Sequence, residues 1–287
     1  MQTTDGGRDW ETIVTTTAPV VQLWTVGDAA WALTACGASI PECAPRLLRS
    51  SDGGATWATT ATNLAQLSFS DTRFGWGATA STYASVAALV YRTADGGVTW
   101  KAVPSPCRGS PVGPFRAIAF SSNSSGIAVC AFTIGAGGEY RSVLHTADGG
   151  ATWQVRAALA PSPVPHVGSM PYGGYARGLV VAHDGTAWLW GDRMVPLAST
   201  DGGATWRPLG FGDPDALLVG PMWVLDRRRG FALAWDPNRQ ATMVEATTDG
   251  GRTWLERASI PVAAVPPGGP IPAASPLGFG SGAQPAR

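Results

Sequence analysis

The chain has 287 residues, of which 45% are hydrophobic and 14% are charged, and its formal net charge is zero. The high apolar fraction argues against disorder. Because 20 basic residues are balanced by 20 acidic ones, the chain offers no basic field for nonspecific nucleic-acid binding. The longest weakly polar run, Tyr83 to Tyr91, is much shorter than the roughly 18 residues of a membrane-spanning helix, so no span is predicted.

Glycine and proline are abundant, with 37 and 23 residues respectively. Both counts exceed the averages of roughly 7% and 5% for soluble proteins. Frequent glycine and proline interrupt helices and favour turns, and no stretch shows helical periodicity over a useful length. The composition therefore predicts an all-β protein of short strands joined by tight turns.

One octapeptide, of the form Ser/Thr-x-Asp-Gly-Gly-x-Thr-Trp, occurs six times, and we call each copy a box. The boxes occupy residues 3–10, 50–57, 93–100, 146–153, 199–206 and 247–254, and only the first departs from the pattern, with Asp9 in place of threonine. Glycine tolerates positive φ, and the aspartate can accept backbone N–H groups across a turn. Each box therefore predicts a hairpin turn whose closing tryptophan begins the next strand.

The aspartate and tryptophan side chains that recur in the boxes are assigned structural roles, because aspartate stabilises its own turn and the uniform repetition does not suggest a metal site. They are Asp5, Asp52, Asp95, Asp148, Asp201 and Asp249, with Trp10, Trp57, Trp100, Trp153, Trp206 and Trp254.

Successive box aspartates are 47, 43, 53, 53 and 48 residues apart, a spacing close to that of a four-stranded propeller blade. Each of the last five boxes is preceded by a looser repeat. In it, turn residues are followed by glycine or alanine and then by an apolar residue. Each unit is thus predicted to contain strands A to D, with the box as the C–D turn. In the unit that contains the third box, strands are expected near 66–69, 75–80, 89–92 and 99–103.

The boxes resemble the Asp-box, or BNR, repeat of sialidases, xyloglucan-cleaving endoglucanases, sortilin-type receptor domains and photosystem II assembly factors. The resemblance implies a β-propeller over residues 1–258, with five complete four-stranded antiparallel blades and one partial blade. Six blades are expected in the intact ring, and seven if one blade lacks a box. Residues 259–287 form a tail rich in proline and glycine that is predicted to be flexible. Since the chain opens at a box, we interpret it as an N-terminally shortened form of a longer protein.

The four cysteines, Cys36, Cys43, Cys107 and Cys130, lack the spacing of zinc or redox motifs. Two local disulfides across long loops are the favoured interpretation, and they indicate an extracellular or cell-surface protein. Four buried free thiols are the alternative. No signal segment is visible in the chain.

In an up-and-down blade, the A–B and C–D turns share one face, and the B–C and D–A connections share the other. The second face, here called the long-loop face, holds every long irregular segment and is the expected ligand-binding surface. Its candidate contact residues are Glu139, Tyr140, Tyr172, Tyr175, Trp190, Asp192, Arg193, Trp235, Asp236 and Arg239. Aromatic, acidic and arginine side chains together suit a protein or polysaccharide ligand, and ordinary solvated loops are the alternative.

Two functions remain open from the sequence. The first is a non-catalytic, monomeric propeller that serves as a protein- or glycan-binding or assembly scaffold. The second is a sialidase-like or xyloglucanase-like glycoside hydrolase, which needs two suitably spaced carboxylates. The sialidase motif Phe-Arg-Ile-Pro is matched at two positions by Phe115-Arg116-Ala117-Ile118, and the remaining sialidase residues cannot be placed.

No cofactor or metal site is expected. The three histidines, His145, His166 and His183, are far apart in the sequence, and His145 occupies the position that Arg49 and Arg92 hold before their boxes. The run 227–229, three arginines, aligns with ordinary A–B turns and is interpreted as a solvated turn rather than a phosphate site.

Overall fold

The computed structural model describes residues 11–16, 18–35, 45–79, 89–108, 113–135, 138–159, 167–211 and 218–261. These ranges contain twenty strands and no helix. None of them therefore holds a helix with the length and apolar character that a membrane crossing requires. The first box, Cys36, Cys43 and residues 262–287 lie outside the described residues. Residues 259–261, which the sequence assigned to the flexible tail, instead form the end of the last strand. Of the partial blade predicted around the first box, only residues 11–16 are described, and they contain no strand.

The strands form five four-stranded antiparallel sheets, each in sequence order, which are the blades of a propeller. Blade 1 contains β1 (Val20–Val26), β2 (Ala29–Thr34), β3 (Arg46–Ser50) and β4 (Ala58–Ala61). Blade 2 contains β5 (Leu64–Phe69), β6 (Gly75–Thr79), β7 (Val90–Thr93) and β8 (Lys101–Val103). Blade 3 contains β9 (Phe115–Phe120), β10 (Gly126–Gly135), β11 (Gly138–Thr146) and β12 (Gln154–Leu159).

Blade 4 contains β13 (Tyr175–Val181), β14 (Ala187–Asp192), β15 (Leu197–Ser199) and β16 (Arg207–Pro208). Blade 5 contains β17 (Leu218–Val224), β18 (Gly230–Asp236), β19 (Ala241–Thr247) and β20 (Leu255–Pro261). The all-β propeller fold and its five complete blades are confirmed, as are the four strands expected in blade 2.

Each described box closes its turn with the same hydrogen bonds to its aspartate, shown here for the second box. Asp52 accepts hydrogen bonds from the Ser50 hydroxyl at 2.8 Å, from the Thr56 backbone N–H at 2.9 Å and from the Thr56 hydroxyl at 2.5 Å. The Trp57 indole N–H donates to the Gly54 carbonyl at 2.9 Å. Gly53, at φ 71°, donates its N–H to Asp28 in the A–B turn of the same blade, so both turns lie on one face.

At the box end of each blade, four cross-strand neighbours form a row that we call the coupling row. In blades 1 to 4 this row faces the next blade along the chain. In chain order the rows are Trp24–Trp31–Arg49–Ala58, Ser68–Trp76–Arg92–Lys101, Ala119–Ile127–His145–Gln154, Val180–Trp188–Ala198–Arg207 and Trp223–Phe231–Ala246–Leu255. Directly opposed residues in antiparallel strands share a face, so each row acts as a single contact surface.

Aromatic stacking joins the first three blades. Trp31 of blade 1 stacks on Phe69 of blade 2 with ring centroids 3.7 Å apart, and Trp76 stacks on Phe120 of blade 3 at 3.4 Å. The Trp31 indole N–H also donates to the Gly96 carbonyl in the next box, at 2.8 Å. Stacked rings of this kind add about 0.5–1.5 kcal/mol to the burial of their area.

Cationic side chains of the row contact the following box. Arg49 lies against Gly96, and Arg92 and His145 lie against Gly149 and Gly202 in the same way. Arg207 donates to the Gly250 carbonyl at 2.5 Å. The position of His145 in the repeat therefore corresponds to a packing role between blades.

One predicted disulfide is confirmed. Cys107, in the connection between blades 2 and 3, is bonded to the fully buried Cys130 on β10, with Cα atoms 5.6 Å apart. The bond ties that connection to the second strand of blade 3.

We expect Trp76→Ala to lower the free energy of unfolding by about 3–5 kcal/mol, because it empties a fully buried position between two blades. Urea denaturation measures the change. Val98→Ala, at an exposed position of the third box, serves as a control and should stay within about 0.5 kcal/mol of the parent chain. A small loss for Trp76→Ala would contradict the coupling role of the row.

The boxes also predict a pH dependence of stability. The hydroxyl of the threonine four residues on, followed by its backbone N–H, lowers the pKa of Asp52, Asp95 and Asp148 from 3.8 to about 2. A lowered folded-state pKa stabilises the fold above the unfolded-state value, and this stabilisation is lost as pH falls through the folded-state value. The melting temperature should therefore fall between about pH 4 and pH 2.

The variant Asp95→Asn/Asp148→Asn tests this directly, because it removes two of the titrating carboxylates. Thermal unfolding across the same pH range should show a shallower fall than in the parent chain. An unchanged slope would show that other carboxylates cause the acid destabilisation.

Candidate functional site

The described part of the long-loop face is built mainly by blades 3, 4 and 5. Among the described strands, β10 and β11 are the longest, with 10 and 9 residues, and residues 167–174 lead into β13 beside them. Tight turns follow β14 and β18. Asp213, Asp215 and His166, which lie on neighbouring connections, are outside the described residues.

A buried charged cluster lies beneath this face. Glu139, at the start of β11, has no exposed surface and accepts a hydrogen bond from the Ala176 N–H of β13 at 2.7 Å. Its carboxylate lies 3.6 Å from Nε of Arg116 and 3.8 Å from Nε of Arg141. Arg141 is also fully buried and donates to the Gly173 carbonyl. The cluster thus joins blade 3 to blade 4.

Burial determines the electrostatics of this cluster. Loss of solvent raises the pKa of Glu139, although the Ala176 N–H and the two guanidinium groups oppose the shift. Burial likewise lowers the pKa of Arg141, and Glu139 opposes that shift. Contrary to the expectation from the sequence, Glu139 is not on the accessible surface, because its carboxylate is enclosed between the blades.

Aromatic side chains with exposed surface lie on and beside the β10–β11 hairpin. Phe132 on β10 is 55% exposed and is paired across the hairpin with the half-buried Tyr140. Tyr172 is 60% exposed, and the end of its ring packs directly against the backbone of Gly138 at the start of β11. These three residues, here called the aromatic patch, present apolar surface to solvent around the hairpin.

In blade 4, Asp192 is 56% exposed and forms an ion pair with Arg177 of β13, with 2.5 Å between Nη2 and Oδ2. Tyr175 is half-buried opposite Asp192, and Arg193 is exposed at φ 53° in the following turn. Trp190 is half-buried and packs against the backbones of Gly178 and Gly220, which makes it a contact between blades 4 and 5.

In blade 5, Asp236 caps its own turn by accepting the N–H groups of Asn238 and Arg239, at 2.8 and 3.1 Å. The Arg239 guanidinium forms two hydrogen bonds with Glu256 of β20, at 2.6 and 2.9 Å. Trp235 is half-buried on β18. The charged side chains of this hairpin are therefore engaged with one another or with the backbone.

On the box face, a shallow depression of about 500 Å³ lies between the A–B turns of blades 4 and 5. It is lined by Asp184, Asp226, Thr248 and the three arginines of residues 227–229. Asp226 accepts the N–H groups of Arg228 and Arg229 and pairs with the Arg229 guanidinium. The Asp226 carboxylate therefore neutralises part of the positive charge of the three arginines in this turn.

The arrangement limits the chemistry available to the described residues. Glycosidic bond hydrolysis needs an acid and a base or nucleophile that both reach the substrate. Of the described candidates, Glu139 is enclosed, Asp192 is paired with Arg177, and Asp236 caps a turn. Within the described ranges, no three His, Cys, Asp or Glu side chains are placed to hold a metal ion.

Sequence reasoning missed Arg141 and Arg177. The first could have been found, because Glu139 and Arg141 are two residues apart on one strand and so share a face. The partnership of Arg177 with Asp192 depends on the register between β13 and β14, which has an irregularity between Ala176 and Gly178.

No protein-family model matches the sequence, and no curated protein is significantly similar to it. Similar solved structures include YCF48 bound to D1 peptide, with 17% identity over 84% of this chain and 81% of that chain, at a TM-score of 0.48. A Dyadobacter fermentans protein of unknown function matches with 15% identity over 82% and 79% of the two chains, at 0.48. Trypanosoma rangeli sialidase matches with 13% identity over 84% and 48%, also at 0.48. At these identities, the similarity concerns the fold alone.

We expect Glu139→Ala to lower the free energy of unfolding by about 3–5 kcal/mol, because it leaves the buried Arg141 without its carboxylate. Asp192→Ala is the matched control, since it removes an exposed partner of an arginine and should cost less than about 1 kcal/mol. Chemical denaturation measures both. Equal losses would show that the buried cluster has no special role in joining the blades.

Proposed function

We propose that this propeller is a non-catalytic scaffold that binds a protein ligand on its long-loop face. The observation that carries the proposal is the aromatic patch of Phe132, Tyr140 and Tyr172, which presents exposed aromatic surface on and beside the β10–β11 hairpin. Exposed aromatic groups on a rigid frame supply much of the binding energy in protein interfaces. The carboxylates nearby are engaged in structural pairs, which argues against a catalytic role for them.

The rigidity of the frame supports the same proposal. The Glu139 cluster fixes the turn end of the β10–β11 hairpin to β13, and Tyr172 packs on Gly138 at the same end. A patch held in this way loses little conformational entropy when a ligand binds.

The disulfide between Cys107 and Cys130 supports a location outside the cytosol. Such bonds form and persist mainly in oxidising compartments, whereas cytosolic thiols are kept reduced. The proposed scaffold is accordingly an exported protein that acts at or beyond the cell surface.

A glycan is the second candidate ligand, favoured by Tyr172 and Tyr140, whose rings can stack on a sugar while their hydroxyls form hydrogen bonds. A glycan array and an immobilised peptide library, screened with the full chain, distinguish the two ligand classes. An assay with several aryl glycosides tests the glycosidase alternative, and turnover that is lost in Asp192→Asn would overturn the non-catalytic proposal.

We expect Tyr172→Ala and Phe132→Ala each to weaken the affinity for the identified ligand about tenfold or more, because each removes a central aromatic contact. Biolayer interferometry measures the dissociation constant. Val98→Ala, on the opposite face, should leave the affinity unchanged. Equal effects at all three positions would place the ligand elsewhere.

A further inference from the structure

Five arginines lie together on the box face, around the sixth box, and we call them the arginine cluster. They are Arg207, Arg227, Arg228, Arg229 and Arg252. Arg207 donates to the Gly250 carbonyl, and Gly250 donates its own N–H to the Arg228 carbonyl at 2.7 Å. Arg252 donates to the carbonyl of Asp249 in the same box. The cluster therefore spans the junction between blades 4 and 5.

The A–B turn that carries three of these arginines does not need them for its conformation. Its backbone is held by Asp226, which accepts the N–H groups two and three residues further on. Asp71 does the same in blade 2, and blade 3 forms the equivalent turn with residues 122–125, none of which is charged. The guanidinium groups at 227 and 228 are therefore not explained by the turn itself.

The sixth box differs from the other described boxes in the same direction. Its sixth position holds Arg252, where the others hold Ala55, Val98, Ala151 and Ala204. Burial, followed by repulsion from Arg252, lowers the pKa of Arg207, although Asp249 opposes the shift. Guanidinium groups that repel one another in this way favour an anion beside them.

The nearby carboxylates only partly neutralise the cluster. Five arginines against three aspartates leave an excess of two positive charges, and the aspartates all accept backbone N–H groups; they are Asp184, Asp226 and Asp249. Arg229 pairs with Asp226 at 2.7 Å. Arg227 and Arg228 are exposed, and among the residues that the structure describes neither guanidinium has a hydrogen-bond or salt-bridge partner.

The shape of the surface favours an extended ligand. The depression of about 500 Å³ beside Arg227 and Arg228 is shallow, and the exposed Thr248 lies on its border. Leu225, at the start of the turn, is 51% exposed and offers an apolar contact next to the charges. An open surface of this kind accommodates a segment of a chain.

We propose that the arginine cluster binds an acidic segment of a partner protein, whose carboxylates pair with Arg227 and Arg228. A guanidinium group can bind a carboxylate through two parallel hydrogen bonds. The small charge excess, interrupted by Asp184 and Asp226, suits a few peptide carboxylates better than the dense charge of a sulfated polysaccharide. The cluster lies on the face opposite the aromatic patch, so this site does not depend on the ligand proposed there.

Fluorescence anisotropy with fluorescein-labelled hexaglutamate tests the proposal on the full chain. Arg227→Asn/Arg228→Ser introduces the residues that blade 3 has in its turn and should raise the dissociation constant about fivefold, because two exposed ion pairs are lost. Arg73→Ser/Arg108→Ser removes the same charge from exposed positions elsewhere and should change the dissociation constant by less than about twofold. Equal weakening by the two double variants, or no binding by the parent chain, would overturn the proposal.

Arg227→Lys/Arg228→Lys separates charge from a folding defect, because it keeps both positive charges and loses only the paired hydrogen bonds. It should weaken binding by no more than about twofold. Weakening as large as that of Arg227→Asn/Arg228→Ser, with a melting temperature equal to that of the parent chain, would show that charge does not hold the peptide and would overturn the proposal.

Two further probes identify the class of ligand. Labelled hexaglutamine should bind at least about tenfold more weakly than hexaglutamate, because it lacks the carboxylates. A heparin hexasaccharide should compete poorly with hexaglutamate at physiological ionic strength. Tighter binding of the hexasaccharide that is lost in Arg227→Asn/Arg228→Ser would assign the cluster to an anionic polysaccharide and overturn the assignment to a protein partner.

Discussion

The packing of the blades depends on one repeated contact. The coupling row of one blade packs against the innermost strand of the next blade and against the box of that next blade. The contact combines the burial of a large apolar side chain with hydrogen bonds to box carbonyls, as the pairs Trp31–Gly96 and Arg207–Gly250 show. A carbonyl can accept such a bond only if the turn holds it in place. The local hydrogen bonds of the box and the packing between blades are therefore parts of a single interaction.

This dependence explains why the boxes vary so little and the opposite connections vary so much. A box must fit its own turn and its neighbouring blade together, so a change at Asp95 or Gly96 disturbs two contacts. The β10–β11 hairpin and the 167–174 segment fit only their immediate surroundings. Variation in those segments can alter a binding surface without loosening the ring.

The part of the fold that could be predicted from the sequence is the part fixed by local interactions. Asp52 and Thr56 are four residues apart, so their hydrogen bonds, and the hairpin that they close, follow from the octapeptide alone. The burial of Glu139 depends on Ala176, 37 residues away, and on the way blades 3 and 4 pack. No local pattern reveals such a contact. The residues predicted to contact a ligand therefore include one buried carboxylate, that of Glu139, among the exposed side chains.

On the long-loop face, side chains that stabilise the fold can likewise be distinguished from side chains that are available to a ligand. A carboxylate that neutralises a buried arginine cannot also exchange protons with a substrate at the surface, because its charge is already required by the fold. Glu139 has this constraint, and Asp192 has a weaker form of it through Arg177. Phe132 is free of this constraint, because it is paired with Tyr140 on the face of the hairpin opposite Glu139 and Arg141.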